Sequence, residues 1–259
     1  MPTWNADLYL KFAAERTQPA LDLAARVALA APRQVIDLGC GPGNSTTVVA
    51  NRWPVAQLTG LDNSAAMLVT ARQNLPAAQW IENDIASWAA GVTPASYDVI
   101  FANASLQWVP DHSLILPQLF SAAAPGGALA FQVPANFDAP PHRLMRELGA
   151  SAAWRQFFAP PPREWHAHDP EFYYDTLAPL AARVELWTTD YIHVLAHIEG
   201  IVEWYRGTGL RPWLDALPDE ATRSRFLADY RTLLAPHFPQ RSDGRVLFPF
   251  RRLLVVAYR

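Results

Sequence analysis

The chain has 259 residues, of which 51% are hydrophobic and 17% charged, with a formal net charge of −3. That length and core content suit one α/β domain with insertions, or a domain plus a cap, and the near-neutral balance excludes a general nucleic-acid or membrane surface. A single cysteine, Cys40, excludes an internal disulfide and a Cys-based metal site, and no run approaches the ~20 apolar residues of a membrane span.

The opening MPTWNADLYLKF lacks the basic segment and apolar stretch of a secretory signal, so the expected location is the cytoplasm. Strands and helices then alternate. Gln34–Leu38 is a fully buried strand by its composition, and Val48, Val49, Arg52 and Trp53 recur at helical spacing beyond the glycines that follow it. A second strand at 57–61 ends at Asp62. Asn63 or Ser64 can cap the next helix, which turns Met67, Leu68, Ala71 and Leu75 inward. A short third strand at 78–81 precedes Asp84, and a fourth at 97–102 precedes Asn103. Residues 111–124 have a helical pattern, and 127–133 form a fifth strand after the Pro125-Gly126-Gly127 turn.

The second half is punctuated by proline between 134 and 163. Asp169-Pro170 supplies a cap and a first-turn residue for a helix. A strand is expected at 184–193, helices at 197–206 and 218–236, and two strand-like runs at 246–250 and 253–258. The expected segments are a core over 1–135, a proline-rich and helical cap segment over 136–182, a strand at 183–194, a helical cap insertion at 195–245 and the closing strands at 246–259.

Such alternation builds a parallel sheet covered on both faces, with ligands beyond the carboxyl ends of its strands. Asp37, Asp62, Asp84 and Asn103 all fall at or near such ends. The glycine turn Gly39-Cys40-Gly41-Pro42-Gly43 is not a dinucleotide fingerprint, because Asn44 stands where the third glycine or alanine belongs. Asp37, two residues before the first glycine, would repel a pyrophosphate and attract an amine or a sulfonium. Asp62 can accept two ribose hydroxyls, and Asp84 can accept an adenine amino group with Ile85 flanking the ring. S-adenosylmethionine has the required cationic groups and no phosphate.

The stretches VIDLGCGPGN, LTGLDNS, Asn83-Asp84-Ile85 and YDVIFANASLQW resemble the class I S-adenosylmethionine-dependent methyltransferases over roughly the first 135 residues. The segments WNADLYLKFAAERTQPA, NASLQWVPDH and TGLRPWL extend the likeness along nearly the whole chain, toward members that esterify a small polycarboxylate. The resemblance implies a Rossmann-like doubly wound, mostly parallel seven-stranded sheet with an antiparallel C-terminal edge and a helical cap insertion. It implies S-adenosylmethionine as cofactor, S-adenosylhomocysteine as product, and trans-aconitate as acceptor, made into a monomethyl ester. Gly39, Gly41, Asn63 and Asn103 then join Asp37, Asp62, Asp84 and Ile85 around the cofactor.

A carboxylate acceptor is already ionised at neutral pH, so this chemistry asks for no acid–base residue, and none is assigned. It asks for positioning and for fixed donors that replace water around a multiply charged anion. Arg206 and Arg211 are the proposed carboxylate clamps, with surface arginines as the alternative; Arg16 is a further candidate. Ser105 and Gln107 are expected to donate to the acceptor. Trp108 is either an apolar wall or core, and Tyr9 with Phe12 either covers the cofactor or forms the inner face of a helix. His112 either reaches the site or caps a helix. His166-x-His168 has no completing ligands and is not assigned a metal. No nucleic-acid or membrane partner is expected. Other acceptors, such as the free carboxylate of a malonyl thioester, stay open, as do a nicotinamide dehydrogenase and a non-catalytic cofactor-binding protein.

Overall fold

The computed structural model describes residues 13–162 and 165–259; Tyr9 and Phe12 lie outside the described residues. Helix α1 (Ala13–Arg26) leads into β1 (Gln34–Leu38), α2 (Asn44–Arg52), β2 (Gln57–Asp62), α3 (Ala65–Asn74), β3 (Gln79–Glu82), α4 (Ile85–Gly91) and β4 (Tyr97–Asn103). Then follow α5 (His112–Ser121), β5 (Ala123–Pro134), α6 (Pro140–Ala150), α7 (Pro170–Leu177) and β6 (Arg183–Leu195). Helices α8 (Glu199–Arg206), α9 (Arg211–Asp215) and α10 (Glu220–Leu234) precede β7 (Val246–Tyr258).

The seven strands lie in the order β3-β2-β1-β4-β5-β7-β6. The pairs β1–β2, β1–β4, β2–β3 and β4–β5 are parallel, and β7 runs antiparallel to β5. This is the sheet that the resemblance implied. The chain turns from one side of β1 to the other between β3 and β4, so the crevice at the carboxyl ends of β1 and β4 is the switch point where such sheets take ligands.

Side-chain alternation places the two faces of the sheet in separate cores. Ile36, Leu38, Ile100, Ala102, Leu129, Phe131, Leu253 and Val255 pack on one face with residues of α4, α5 and α7. Val35, Val99, Phe101, Ala128, Ala130, Leu254 and Val256 pack on the other with residues of α1 and α2.

Several boundaries differ from the sequence reading, each for a local reason. The helix expected over 111–124 stops at Ser121, because Ala123 already pairs with Tyr97 across a register shift in the β4–β5 ladder. The two closing runs are one strand: Arg251 pairs with Asp190 at 2.8 Å and Arg252 donates to Gln132 Oε1 at 3.1 Å, so both charges are accommodated within the ladder. The proline-rich stretch contains a helix, α6, that starts on Pro140-Pro141, where proline's missing N–H costs no bond.

The chain divides into two compact units. The sheet unit comprises Ala14–Ala135, His166–Thr189 and Arg252–Arg259. The helical unit includes Asn136–Trp165 and Asp190–Arg251, so the expected segment over 136–182 is divided between the two. The helical unit has its own core, built on Met145, Trp204, Tyr205, Trp213, Phe226, Tyr230 and Phe248. Among the described residues, no helix is long and apolar enough to cross a membrane.

Candidate active site

The turn from β1 into α2 is tied down by its own backbone. The N–H groups of Gly39 and Cys40 both donate to Leu61 O, at 2.7 and 3.0 Å, which joins the turn to the end of β2. Gly39 and Gly41 have φ of +69° and +54°, a left-handed conformation that disfavours any Cβ. Their surroundings differ. A Cβ on Gly39 would stand 2.3 Å from Ser105 Cβ, so this glycine lets the loop after β4 pack directly on the turn. A Cβ on Gly41 would meet nothing within 4 Å, so Gly41 presents bare backbone to open space, as a turn that receives a ligand must.

Asp37 is 1% exposed. Its Oδ2 accepts hydrogen bonds from Ser45 Oγ and Thr46 Oγ1, both at 2.7 Å, and so fastens the first turn of α2 to the end of β1. Its Oδ1 is buried with no protein partner. Burial pushes the carboxyl up to about 6, opposed by the two hydroxyls and reinforced by the negative charge of Asp62. Sequence reasoning found the acid but not Ser45 and Thr46. The signal was present as two adjacent hydroxyls in the first turn after the glycines.

Asp62 closes β2 and accepts Gly41 N–H at 2.9 Å on Oδ2 and Ser64 N–H at 2.9 Å on Oδ1. Each oxygen keeps a lone pair, enough for two hydroxyl donors from a ligand above the turn. Burial raises this carboxyl and the backbone N–H groups lower it. Asp62→Ala is expected to weaken S-adenosylhomocysteine binding by about 1–3 kcal/mol, or about 5- to 150-fold, as read by calorimetry. An unchanged affinity removes Asp62 from the site.

Asp84 is exposed and caps α4, accepting Ser87 N–H at 2.8 Å on Oδ1; hydrogen bonding to Ser87, first through its side chain and then through its N–H, holds the carboxyl below the usual range. Ile85 is buried in the core of the α4 face, and Asn63 is exposed at the end of β2.

The loop after β4 supplies the remaining polar groups. Asn103 is half-buried and its Oδ1 has no partner. Ala104 sits at φ +55°, a strained value for a residue with a Cβ, and that turn directs Ser105 back onto the glycines. Ser105 Oγ donates to Leu38 O at 2.6 Å, so its one proton is committed to β1 and the expected donation to an acceptor gives way to a loop anchor. Gln107 donates from Nε2 to Ala104 O at 2.6 Å, while its buried Oε1 is unpartnered. Trp108 is 40% exposed and so lies outside the core.

His112 does not reach the site. Its Nδ1 lies 3.0 Å from Tyr173 Oη and its Nε2 2.9 Å from Leu106 O, and burial lowers its pKa, so it is a neutral structural group. His168 stacks on Phe172 with ring centroids 3.9 Å apart. Among the described residues, no group of three His, Cys, Asp or Glu could hold a metal ion. Cys40 is buried and burial raises its thiol, so it is protonated and inert. Arg16 is buried in α1. In the helical unit, Arg206 is exposed in the last turn of α8, and Arg211 opens α9 with its Nε 3.8 Å from Asp215 Oδ2.

The sheet unit therefore holds a turn that faces open space at Gly41, a carboxylate with spare acceptor capacity at Asp62, and buried, unpartnered acceptor oxygens on Asp37, Asn103 and Gln107. Acceptor oxygens at these strand ends fit a ligand that carries hydroxyls and positive charge, and they disfavour a dinucleotide.

The fold and this site define a class I S-adenosylmethionine-dependent methyltransferase. Residues 35–127 match the family described as a methyltransferase domain. The YcgJ protein from Bacillus subtilis has a TM-score of 0.61 at 12% identity, over 93% of this chain and 98% of that one. Geranyl diphosphate methyltransferase in complex with S-adenosylmethionine has a TM-score of 0.54 at 12% identity, over 98% of this chain and 90% of that one. At such identity these two show the fold. A trans-aconitate 2-methyltransferase of Azoarcus sp. (strain BH72) is 50% identical over 264 residues, spanning the whole of both chains. The chain belongs to the trans-aconitate 2-methyltransferase family.

Proposed function

We propose that the protein methylates a carboxylate oxygen of trans-aconitate with S-adenosylmethionine, giving the monomethyl ester and S-adenosylhomocysteine. The observation that carries this reading is a 50% identity that continues through both compact units rather than stopping at residue 127, where the general methyltransferase match ends.

When bound, the cofactor supplies a methyl group on a cationic sulfur, open to attack by an anionic oxygen. Asp62 holds the ribose hydroxyls on its remaining lone pairs. Asp37 and Asn103 offer their unpartnered oxygens to the amine of the methionine part. Asp84 accepts from the adenine beside Ile85, and Gly41 lets the backbone come close. The acceptor carboxylate is its own nucleophile at neutral pH, so no side chain needs to take a proton. The work left to the protein is alignment and the exclusion of water, to which the exposed face of Trp108 contributes.

Arg206 and Arg211 hold the acceptor's carboxylates, and replace part of its hydration with charged donors. Arg211→Ala is expected to raise KM for trans-aconitate by about 10- to 100-fold, the loss of a charge-assisted pair, with S-adenosylhomocysteine affinity unchanged. A fall in cofactor affinity alone would remove the clamp role. The location is the cytoplasm, where the methyl donor is made, and the partner is a small polycarboxylate rather than a nucleic acid.

The direct test incubates the protein with methyl-labelled cofactor and a panel of di- and tricarboxylates, including a malonyl thioester. Label is expected in a base-labile ester of trans-aconitate. Label confined to the malonyl thioester, or absent from every carboxylate, would overturn the reading.

A further inference from the structure

His112 and Tyr173 are buried in the sheet unit and take no part in the chemistry above, yet their hydrogen bonds form a directed chain. Leu106 O can only accept, so the proton of the neutral His112 ring sits on Nε2, which donates to it at 2.9 Å. Nδ1 is then an acceptor and takes the hydroxyl proton of Tyr173 at 3.0 Å. The Tyr173 oxygen in turn accepts the His168 N–H at 3.2 Å. Tyr173 is itself fixed in the core, its ring edge-on to Phe131 of β5 with centroids 5.1 Å apart. The chain of bonds therefore runs from a rigid core position to the loop after β4.

That loop needs outside support. Ala104 and Asp111 both stand at φ +55°, and conformations of this kind persist only where neighbours over-determine them. Between them, Leu106–Trp108 form a single turn of 3-10 helix. Leu106 O accepts the Val109 N–H at 2.8 Å as well as His112 Nε2, so both of its lone pairs are used and the turn is pinned. Gln107 O accepts the His166 N–H at 2.8 Å, a second tie between the loop and the segment that contains His168.

On its other side the loop meets the glycine turn. Ser105, the residue before the pinned carbonyl, donates to Leu38 O and lies where a Cβ on Gly39 would go. A shift of Leu106 is passed through one peptide bond to the contact that seats Gly39.

We infer that His112 is a positioning residue for the methyl donor's site, with Tyr173 holding its ring. Through Leu106 O it keeps the loop after β4 in the shape in which Ser105 packs on Gly39 and Asn103 meets the donor. The inference rests on the reading above that this loop borders the donor. It gives a use to two buried side chains, 61 residues apart along the chain, that packing alone does not require to be polar.

The test uses the different reach of two amides. A glutamine amide can take the place of an imidazole Nε2, and an asparagine amide the place of Nδ1. His112→Gln therefore keeps a donor for Leu106 O, whereas His112→Asn keeps a partner for Tyr173 and loses the loop. S-adenosylhomocysteine affinity is measured by calorimetry well below the melting temperature of each chain. It is expected within about 3-fold of wild type in His112→Gln and at least about 10-fold weaker in His112→Asn, whichever variant melts lower. Tyr173→Phe keeps the ring in the core but no longer fixes the tautomer of His112, and a loss of about 3- to 10-fold is expected. A role in stability alone would move the melting temperatures and leave affinity at the wild-type value. That result, or equal losses in His112→Gln and His112→Asn, would overturn the inference. Should His112→Asn fail to fold, Tyr173→Phe decides: wild-type affinity overturns the inference and the expected loss supports it. Asn103→Ala tests the underlying reading separately. Wild-type affinity there would remove Asn103 from the site, while the order of the two His112 variants would still decide whether the loop is held for the donor.

Discussion

Gly39→Ala is expected to lower the melting temperature by about 10 °C, whereas Gly41→Ala is expected to keep the fold and lose the methyl donor. Both positions lie at positive φ, so both variants carry about 1–2 kcal/mol of backbone strain. Only the first adds a collision, since its Cβ would stand 2.3 Å from Ser105 Cβ, and overpacking of this kind costs about 1–3 kcal/mol more. The sum, about 3 kcal/mol, corresponds to roughly 10 °C for a chain of this size. At Gly41 the new methyl group meets no protein atom within 4 Å and instead fills the space a ligand would use. S-adenosylhomocysteine affinity should fall at least about 10-fold there, the scale of one displaced close contact. Ser105→Gly should cost less in Gly39→Ala than in the wild-type chain, because it relieves the collision that Gly39→Ala creates, while the backbone strain stays and the Ser105 Oγ–Leu38 O bond is lost in both. Equal melting temperatures for the two glycine variants, or wild-type affinity in Gly41→Ala, would refute the division between packing and ligand space.

That division is invisible in the sequence, where the two glycines look equivalent. What the sequence shows is the order of the elements: β1 falls at the expected residues, and β2, β3 and β4 within one residue of them. β1 is a short run rich in apolar residues that stops at the glycine turn, and β2, β3 and β4 end on the polar residues Asp62, Glu82 and Asn103. Legibility fails where the deciding partner is distant along the chain. Ser105 reads as a donor near a ligand until its proton is found on Leu38 O, 67 residues away, which only the β1–β4 register brings close. Likewise, Arg251 and Arg252 look like a break between two strands until Asp190 and Gln132 are placed beside them. Helix α6 was hidden by the opposite error. Prolines punctuate loops elsewhere in the chain, but at the first turn they begin a helix.

Asp37 combines both kinds of information, and its replacement has the least intuitive outcome. Asp37→Asn is expected to stabilise the ligand-free protein and to weaken its hold on the cofactor. The carboxyl titrates near 6 in the folded chain, against 3.8 when freely solvated. Between those values the folded state binds the proton that the unfolded state has lost. Stability therefore falls as pH rises through this window, and above pH 6 the buried charge costs on the order of 3 kcal/mol. Asparagine keeps an oxygen for Ser45 and Thr46 and carries no charge. An amide N–H left without an acceptor returns part of the gain, so a net stabilisation of about 1–2 kcal/mol is expected at pH 7 to 8. Melting curves of both chains from pH 4 to pH 8 test this: the advantage of Asp37→Asn should grow as pH rises toward 6, and near pH 4, where the charge cost is gone and the amide penalty remains, it should turn into a small deficit. The same substitution should lower S-adenosylhomocysteine affinity, because the carboxylate that disfavours the empty fold is the one that meets the ligand's ammonium. An advantage independent of pH would show that burial of charge is not what Asp37 contributes. Undiminished affinity would show that its unpartnered oxygen faces no cation. Both outcomes as expected would mean that the chain keeps a destabilising charge in its core because the methyl donor neutralises it.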